Sequence, residues 1–505
     1  MVKKNLVANY FGQGWTALMG FAFVPLYVKF LGIEAYGLIG LFAVLQSWLS
    51  LLDIGMTPTL GREMARFSGG ERTIESIRDL LRSVEIIAIL FAILIATGVG
   101  FGAKWIALNW LRSNSISVET VSNAFVIMGF VTAIRFVENI YRSALIGMQK
   151  QVIYNVINGI MATLRGLGAV ILLKWTSPTI SIFFYWQGFL SILTLIILIL
   201  VTYKFLPEGK RSGRFSYVEM KGVSKFASGI LGITLLKIML TQIDKVILSK
   251  FLTLVEFGYY TLATTISSSL LLFVSPVAQA IYPKLCELNA RGDIHSFAKK
   301  FHQASQLVSV ISGSLFITMI FFSNVFLELW TQDISLANKV SPLLIILSAG
   351  SLLNGLMWIP YQAQLAYKWT KLTFSTNLTS VIVLIPAIIL IVPIYGALGA
   401  AWIWVILNCG YFFISGGIMF KNILITEKWQ WYVKDNFIPL ATATVVISIL
   451  KMVIPPVSNM FYQFACLIFV FGLAFLVSGS MSKYIRVYFL RIIDMFYGYC
   501  KKSLV

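Results

Sequence analysis

Seven ionisable residues interrupt stretches that are otherwise apolar: Arg135, Glu138, Arg142, Arg165, Lys237, Asp244 and Lys245. A charge held inside a membrane-spanning segment is costly, so each such group is expected to face a cavity or a partner. A helix over 118–142 puts Arg135, Glu138 and Arg142 at i, i+3 and i+7 on one face. A carboxylate between two guanidiniums is either a locked structural triad or a cation pair held ready for an anion, and Arg142 could equally sit at the membrane surface where the helix ends. Over 151–173, Asn155, Asn158 and Arg165 form a polar stripe that can glue helices together or line a cavity. Over 226–249, Lys237, Thr241, Asp244 and Lys245 share a face, and both a structural Asp244–Lys245 pair and a gating carboxylate fit. Near the end of 36–56, Gln46, Ser50 and Asp53 lie together, with Asp53 placed to cap a helix or to pair with Arg62 or Arg66.

Cations outnumber carboxylates in this set. Arg135, Arg142, Arg165, Lys237 and Lys245 are the candidate substrate-binding cations, and Glu138, Asp244 and Asp53 the candidate coupling or gating carboxylates. Asn155, Asn158, Gln46 and Thr241 are the neutral polar candidates. Arg matches phosphate oxygens with bidentate geometry, so an anion bearing phosphate is the ligand such a cavity would select.

The elements that must position these groups are membrane helices. Apolar residues make up 58% of the 505 and charged residues only 12%, against roughly 25% charge in an ordinary soluble domain, and mean hydropathy is +0.85. Stretches able to span a hydrocarbon core of about 30 Å occur near 8–30, 36–56, 83–108, 118–142, 151–173, 180–203, 226–249, 257–282, 304–329, 341–366, 370–392, 394–420, 437–455 and 460–480, about fourteen in all. The chain is therefore expected to be an all-α polytopic membrane protein. The N-terminal MVKKNLVANYFGQGW has two lysines before an apolar run but no small-residue cleavage site, so it reads as an uncleaved first helix.

With both termini in the cytoplasm, the net charge of +20 falls mainly on inner loops, as the positive-inside rule requires. Those loops predict contact with anionic phospholipid headgroups and argue against nucleic acid. Outer loops are short, which leaves no room for a soluble catalytic domain.

KFLGIEAYGLIGL (29–41) recurs as KFLTLVEFGYYTL (250–262), aligning Lys29 with Lys250, Phe30 with Phe251, Leu31 with Leu252, Gly37 with Gly258 and Leu41 with Leu262. Six helices separate the copies, as expected for halves related by an axis along the membrane normal. The expected domains are a six-helix lobe over 1–204, a basic cytoplasmic linker over 205–225, a second six-helix lobe over 226–420, two additional spans over 421–480 and an amphipathic interfacial tail over 481–505.

These residues resemble a known family. LGIEAYGLIGLFAVLQSWLSLLDIGMTPTLGREMAR (31–66), QIDKVILSKFLTLVEFGYYTLATTISSSLLLFVSPVAQAIYPKL (242–285) and PIYGALGAAWIWVI (393–406) are similar to stretches of the polysaccharide and O-antigen flippases. The resemblance implies the multidrug/oligosaccharidyl-lipid/polysaccharide exporter fold, two six-helix lobes around a central cavity that opens alternately to each side. It also implies a bacterial cytoplasmic (inner) membrane and, as substrate, an isoprenoid-diphosphate-linked oligosaccharide such as an O-antigen repeat unit of lipopolysaccharide. Other polysaccharide-assembly membrane proteins are the partners it suggests.

Two rival classes are an ion-coupled drug or cation antiporter and a membrane glycan polymerase or ligase. The first needs unpaired carboxylates in its cavity, and the second needs an outer loop carrying acid, base or nucleophile. No cofactor and no metal site are expected, and H⁺ or Na⁺ coupling stays open. Cys286, Cys409, Cys466 and Cys500 lack metal-site or disulfide-framework spacing. His295 and His302 fall in an inner segment, with a solvated or packing role expected. Pro25, Pro276, Pro360 and Pro386 mark candidate bends.

Overall fold

The computed structural model describes residues 2–209, 211–454 and 459–487, and among these the chain is helical, with no strand beyond a single isolated bridge. Eleven helices among the described residues are long and apolar enough to cross a bilayer. The chain divides into two compact units, Met1–Gly258 and Tyr259–Val505.

The first unit contains α1 (Val2–Ala22), α2 (Val24–Leu49), α3 (Met56–Ser68), α4 (Ile74–Trp105), α5 (Val118–Gly147), α6 (Gln151–Trp175), α7 (Ile180–Phe205) and α8 (Tyr217–Phe251). The second contains the greater part of α9 (Leu254–Ala290), then α10 (Ile294–Thr331), α11 (Ile334–Leu356), α12 (Trp358–Ala366), α13 (Thr370–Gly410), α14 (Gly416–Asn422), α15 (Ile438–Val453) and α16 (Met460–Met481). Two long helices are broken by positive φ, α2 at Gly32 (81°) and α13 at Gly396 (58°). The first break falls between the expected spans 8–30 and 36–56, and the second lies two residues inside the expected span 394–420, close to its start. With those breaks, and with the 35-residue α8, the helices account for the fourteen expected spans.

The first unit is built around α5, which packs on α3, α4 and α7, while α1 lies along α6. Ser117 caps α5 by accepting the Thr120 N–H, and one face of the helix buries Ala133, Phe136, Val137, Ile140, Tyr141 and Ala144 in the core with Leu80, Leu81 and Val84 of α4. Hydropathy missed α3, a helix that does not span. Its Leu60 and Met64 are fully buried while Arg62 and Arg66 stay outward. In the second unit α10 packs on α11, α15 and α16, and α11 on α13.

The repeated glycines have a steric reason. A Cβ on Gly37 would run into the Leu254 carbonyl oxygen, and one on Gly258 into the Ile33 carbonyl oxygen. The two copies of the repeat thus meet backbone to backbone within the first unit. The 111–115 loop joins them: Leu254 N–H donates to Arg112 O at 2.9 Å, and the buried Glu34 accepts the Asn114 and Ser115 N–H groups.

The stretch 205–225, expected as a linker, is shorter than hydropathy suggests, because α8 begins at Tyr217 with Ser216 as its cap. What precedes it is strapped to α4. Asp79 accepts from both terminal nitrogens of Arg211 at 2.8 and 2.6 Å and from the Arg214 N–H at 2.8 Å, and Ser83 Oγ accepts from Ser216 N–H at 2.8 Å. At the start of α8, Glu219 takes Arg72 at 2.5 Å. This helix, assigned above to the second lobe, clusters with the first unit. The expected interfacial tail falls mainly on 488–505, outside the described residues. Pro25 and Pro360 sit in the first turns of α2 and α12, where a helix tolerates proline.

Gly37→Val or Gly258→Val is expected to destabilise the protein by about 1–3 kcal/mol or more through overpacking against backbone. Gly14→Ala, where a Cβ meets nothing within 4 Å, should stay within about 0.5 kcal/mol of the parent. Thermal unfolding of the purified protein in detergent checks both, and equal midpoints for all three variants would refute the close-approach reading.

Candidate functional site

A polar cavity of about 220 Å³ opens among α2, α5, α6 and α7. It has room for about seven waters at roughly 30 Å³ each. Helix α5 supplies Thr132, Arg135, Glu138, Asn139 and Arg142, which its period places along one stripe opposite the apolar core face. Helix α6 adds Tyr154, Asn158 and Arg165, α7 adds Thr194, and Gln46 projects from the end of α2.

Arg135 is held by neutral acceptors. Its Nε donates to Ser191 Oγ at 3.2 Å, Nη1 to Gln46 Oε1 at 3.3 Å and Nη2 to Gln187 Oε1 at 2.9 Å, and the guanidinium lies 5.2 Å from the centre of the Phe42 ring. The side chain is thus fixed in position without a carboxylate bonded to it. Glu138 pairs instead with Arg165 of α6 at 3.5 Å, and Arg165 Nη2 also donates to Thr194 Oγ1 at 3.2 Å. Of the alternatives the sequence left open for α5, the triad within that helix is not the arrangement formed: the carboxylate reaches across to the next helix. Arg142 lies over the Tyr154 ring at 5.4 Å. Three guanidiniums and one carboxylate line the space.

Four lining atoms are buried without a hydrogen-bond partner in the protein: Gln46 Nε2, Thr132 Oγ1, Glu138 Oε1 and Arg165 Nε. Unmet donors and acceptors carry a cost of roughly 1–3 kcal/mol each. Their concentration around one cavity marks a place that water or a polar ligand must fill.

The remaining candidates divide between this cavity and other places. Asn155 is buried against α1, donating to Asn9 Oδ1 at 2.6 Å, so it glues helices. Asn158 does both, lining the cavity and donating to Thr16 at 3.0 Å. Asp53 caps α3 by accepting the Thr57 N–H at 3.1 Å and its hydroxyl at 2.6 Å. It lines a neighbouring cavity of about 250 Å³ that shares Ser50, Phe136 and Asn139 with the first. Lys237, Thr241, Asp244 and Lys245 stay on α8 and line neither cavity. Lys245 turns back to the Thr241 carbonyl at 3.1 Å and to Gln242 at 3.3 Å.

Charge counting overlooked Gln187, Ser191 and Thr194, a neutral polar stripe at i, i+4 and i+7 inside the apolar α7. Helical spacing was the signal that could have found them.

A family model described as polysaccharide biosynthesis protein matches residues 2–289. The chain belongs to that family. It is 21% identical over 407 residues to a Shigella flexneri protein whose name proposes it as an O-antigen transporter, covering 79% of this chain and 93% of the relative. Among solved structures it is similar to the lipid II flippase MurJ in an inward closed conformation, with TM-score 0.73, 15% identity, and 97% of this chain and 99% of that one covered. A multidrug resistance MATE family transporter of the MOP superfamily, in an inward-facing conformation, gives TM-score 0.63 and 12% identity over 80% of this chain and 94% of its own. At these identities the likeness establishes the fold alone, one shared with both of these transporters.

Removing one partner of the interhelical pair strands the other. Glu138→Gln is expected to cost about 1–3 kcal/mol of stability, and Glu138→Gln/Arg165→Gln to recover at least half of that. A thermal-unfolding double-mutant cycle measures the coupling, and strictly additive losses would show that the pair is not coupled.

Proposed function

We propose that this multi-pass membrane protein is a flippase, not an enzyme, that carries an isoprenoid-diphosphate-linked oligosaccharide from the inner to the outer leaflet of the bacterial cytoplasmic membrane. The observation that carries the reading is Arg135, a fixed guanidinium with no bonded carboxylate, beside Arg142 and Arg165 in a cavity with unmet polar atoms. Planar guanidiniums at fixed angles suit the oxygens of a diphosphate. The names of the Shigella relative and of the MurJ structure support the same substrate class.

The cavity volume of about 220 Å³ fits a phosphate-sized group and is too small for an oligosaccharide. The diphosphate would bind here, the sugars would follow when alternating access widens the space, and the polyprenyl tail would stay in lipid. An inside-negative potential favours outward movement of the anionic head by about 2.3 kcal/mol per charge per 100 mV. The membrane potential can therefore contribute without a coupled ion, and if H⁺ or Na⁺ is coupled, Glu138 is the cavity carboxylate we put forward for it. The excess of Lys and Arg on the loops assigned to the inside supports a reading with both termini in the cytoplasm.

Arg135→Ala and Arg165→Ala are each expected to lower transport at least about tenfold, the loss of roughly 1.4 kcal/mol of binding or transition-state stabilisation, with insertion into the membrane unchanged. Arg135→Lys, which keeps charge but loses the fork, should fall between. Leaflet-resolved mass analysis of isoprenoid-linked intermediates after depletion and complementation reads the effect. Completed units accumulating on the cytoplasmic leaflet support flipping. Normal transport by the double alanine variant would remove the cation-cavity reading, accumulation on the outer leaflet would favour a polymerase or ligase, and unchanged lipids would favour the drug antiporter.

A further inference from the structure

The transport cavity leaves unused a second buried group of titratable side chains, in the other compact unit. His302 of α10 is 1% exposed, and Asp435, in the segment leading from α14 into α15, is fully buried. His302 Nδ1 is hydrogen-bonded to Asp435 Oδ2, and its Nε2 is 3.1 Å from Glu427 Oε2. The expectation of a solvated or merely packed histidine fails for His302: both ring nitrogens face carboxylates.

The surroundings complete the arrangement. Asp435 Oδ1 accepts from Gln306 Nε2 at 2.9 Å, and Gln306 Oε1 accepts the Tyr484 N–H at 3.0 Å. Ser309 Oγ donates to the Asn436 carbonyl at 3.4 Å. His302, Gln306 and Ser309 recur at i, i+4 and i+7, so one face of α10 grips the segment along its length. Residues Gln430–Phe437 form a π-helical turn whose wider winding buries Trp431, Asp435 and Asn436 together. Such turns are rare and concentrate where a side chain must be re-aimed. The titratable groups around the ring are Asp435 and Glu427 from that segment and Tyr484 from the stretch after α16, with Phe301 edge-on from α10 itself. Among the described residues neither carboxylate has an ion pair with lysine or arginine.

A neutral imidazole has one N–H and one lone pair, so between two carboxylates it would turn a lone pair toward negative oxygen. An imidazolium donates to both. The geometry therefore contains a bound proton. We propose that His302, Asp435 and Glu427 form a proton-held clasp that fixes the segment 423–437, and with it α15 and α16, to α10, and that the clasp loosens when the proton leaves. The proposal does not depend on which molecule the protein transports.

The test is hydrogen exchange of the full chain in lipid nanodiscs at about pH 6 and about pH 8.5, each rate divided by that of an unstructured reference peptide at the same pH. One unit of histidine pKa displacement changes the open population about tenfold. Protection of 430–440 is expected to fall by about tenfold or more at the higher pH in the parent. H302Q should be weakly protected at both, and H295Q, altering the other histidine, should follow the parent. Parallel behaviour of the parent and H302Q would overturn the proposal. Should H302Q fail to fold, E427Q at the more exposed edge replaces it: a smaller pH response than the parent supports the clasp, and an equal one overturns it.

Discussion

A guanidinium held inside a membrane protein must find acceptors for its N–H groups within the fold, because hydrocarbon supplies none. Arg135 meets that constraint through Gln46 of α2 and through Gln187 and Ser191 of α7. One side chain on α5 thereby sets the register of two neighbouring helices. Arg165 does the same for α6, with Glu138 on α5 and Thr194 on α7 as its partners. Arg135, Glu138, Arg165, Gln46 and Thr194 thus both hold helices together and line the cavity. Polar groups left over in this packing, such as Gln46 Nε2 and Arg165 Nε, are what the cavity offers to a ligand.

A second set of contacts fixes the helix ends. The carbonyls of Ile33 and Leu254 approach so closely to Gly258 and Gly37 that no side chain fits at either glycine. At the Asp79 end of α4, that residue gathers Arg211 and the Arg214 N–H, so the segment before α8 has little freedom. Basic residues that a charge count assigns to headgroup contact are here partly engaged by carboxylates: Arg72 joins Glu63 and Glu219, and Arg66 joins Glu63 and Glu71.

Much of the fold was legible because spanning a bilayer demands long apolar runs, and these print themselves in hydropathy. The break at Gly32 falls between predicted spans for the same reason, and that at Gly396 falls two residues past the predicted boundary. The amphipathic α3 was not legible that way, since it does not span and carries Arg62, Glu63 and Arg66 among its apolar residues. At the cavity, Arg135, Glu138, Arg142, Asn158, Arg165 and Gln46 could be picked out because polar groups inside apolar runs are few. Gln187, Ser191 and Thr194 were passed over because neutral residues barely disturb a hydropathy average.

Reading the residues alone was enough to establish that the chain is a membrane protein, about where its spans lie, that it carries a repeat centred on Gly37 and Gly258, and which helices hold buried cations. These are properties of composition and of one helix at a time. It took the packed helices to show that Glu138 pairs with Arg165 and not with the arginines of its own helix, that Asn155 turns to α1, that α8 keeps its lysines out of the cavity, and that His302 sits between Asp435 and Glu427. Each of those outcomes joins residues 27 to 146 positions apart or depends on which way a helix is rotated. Periodicity gives the face a residue shares with its neighbours, but what that face meets is set by the packing of other helices.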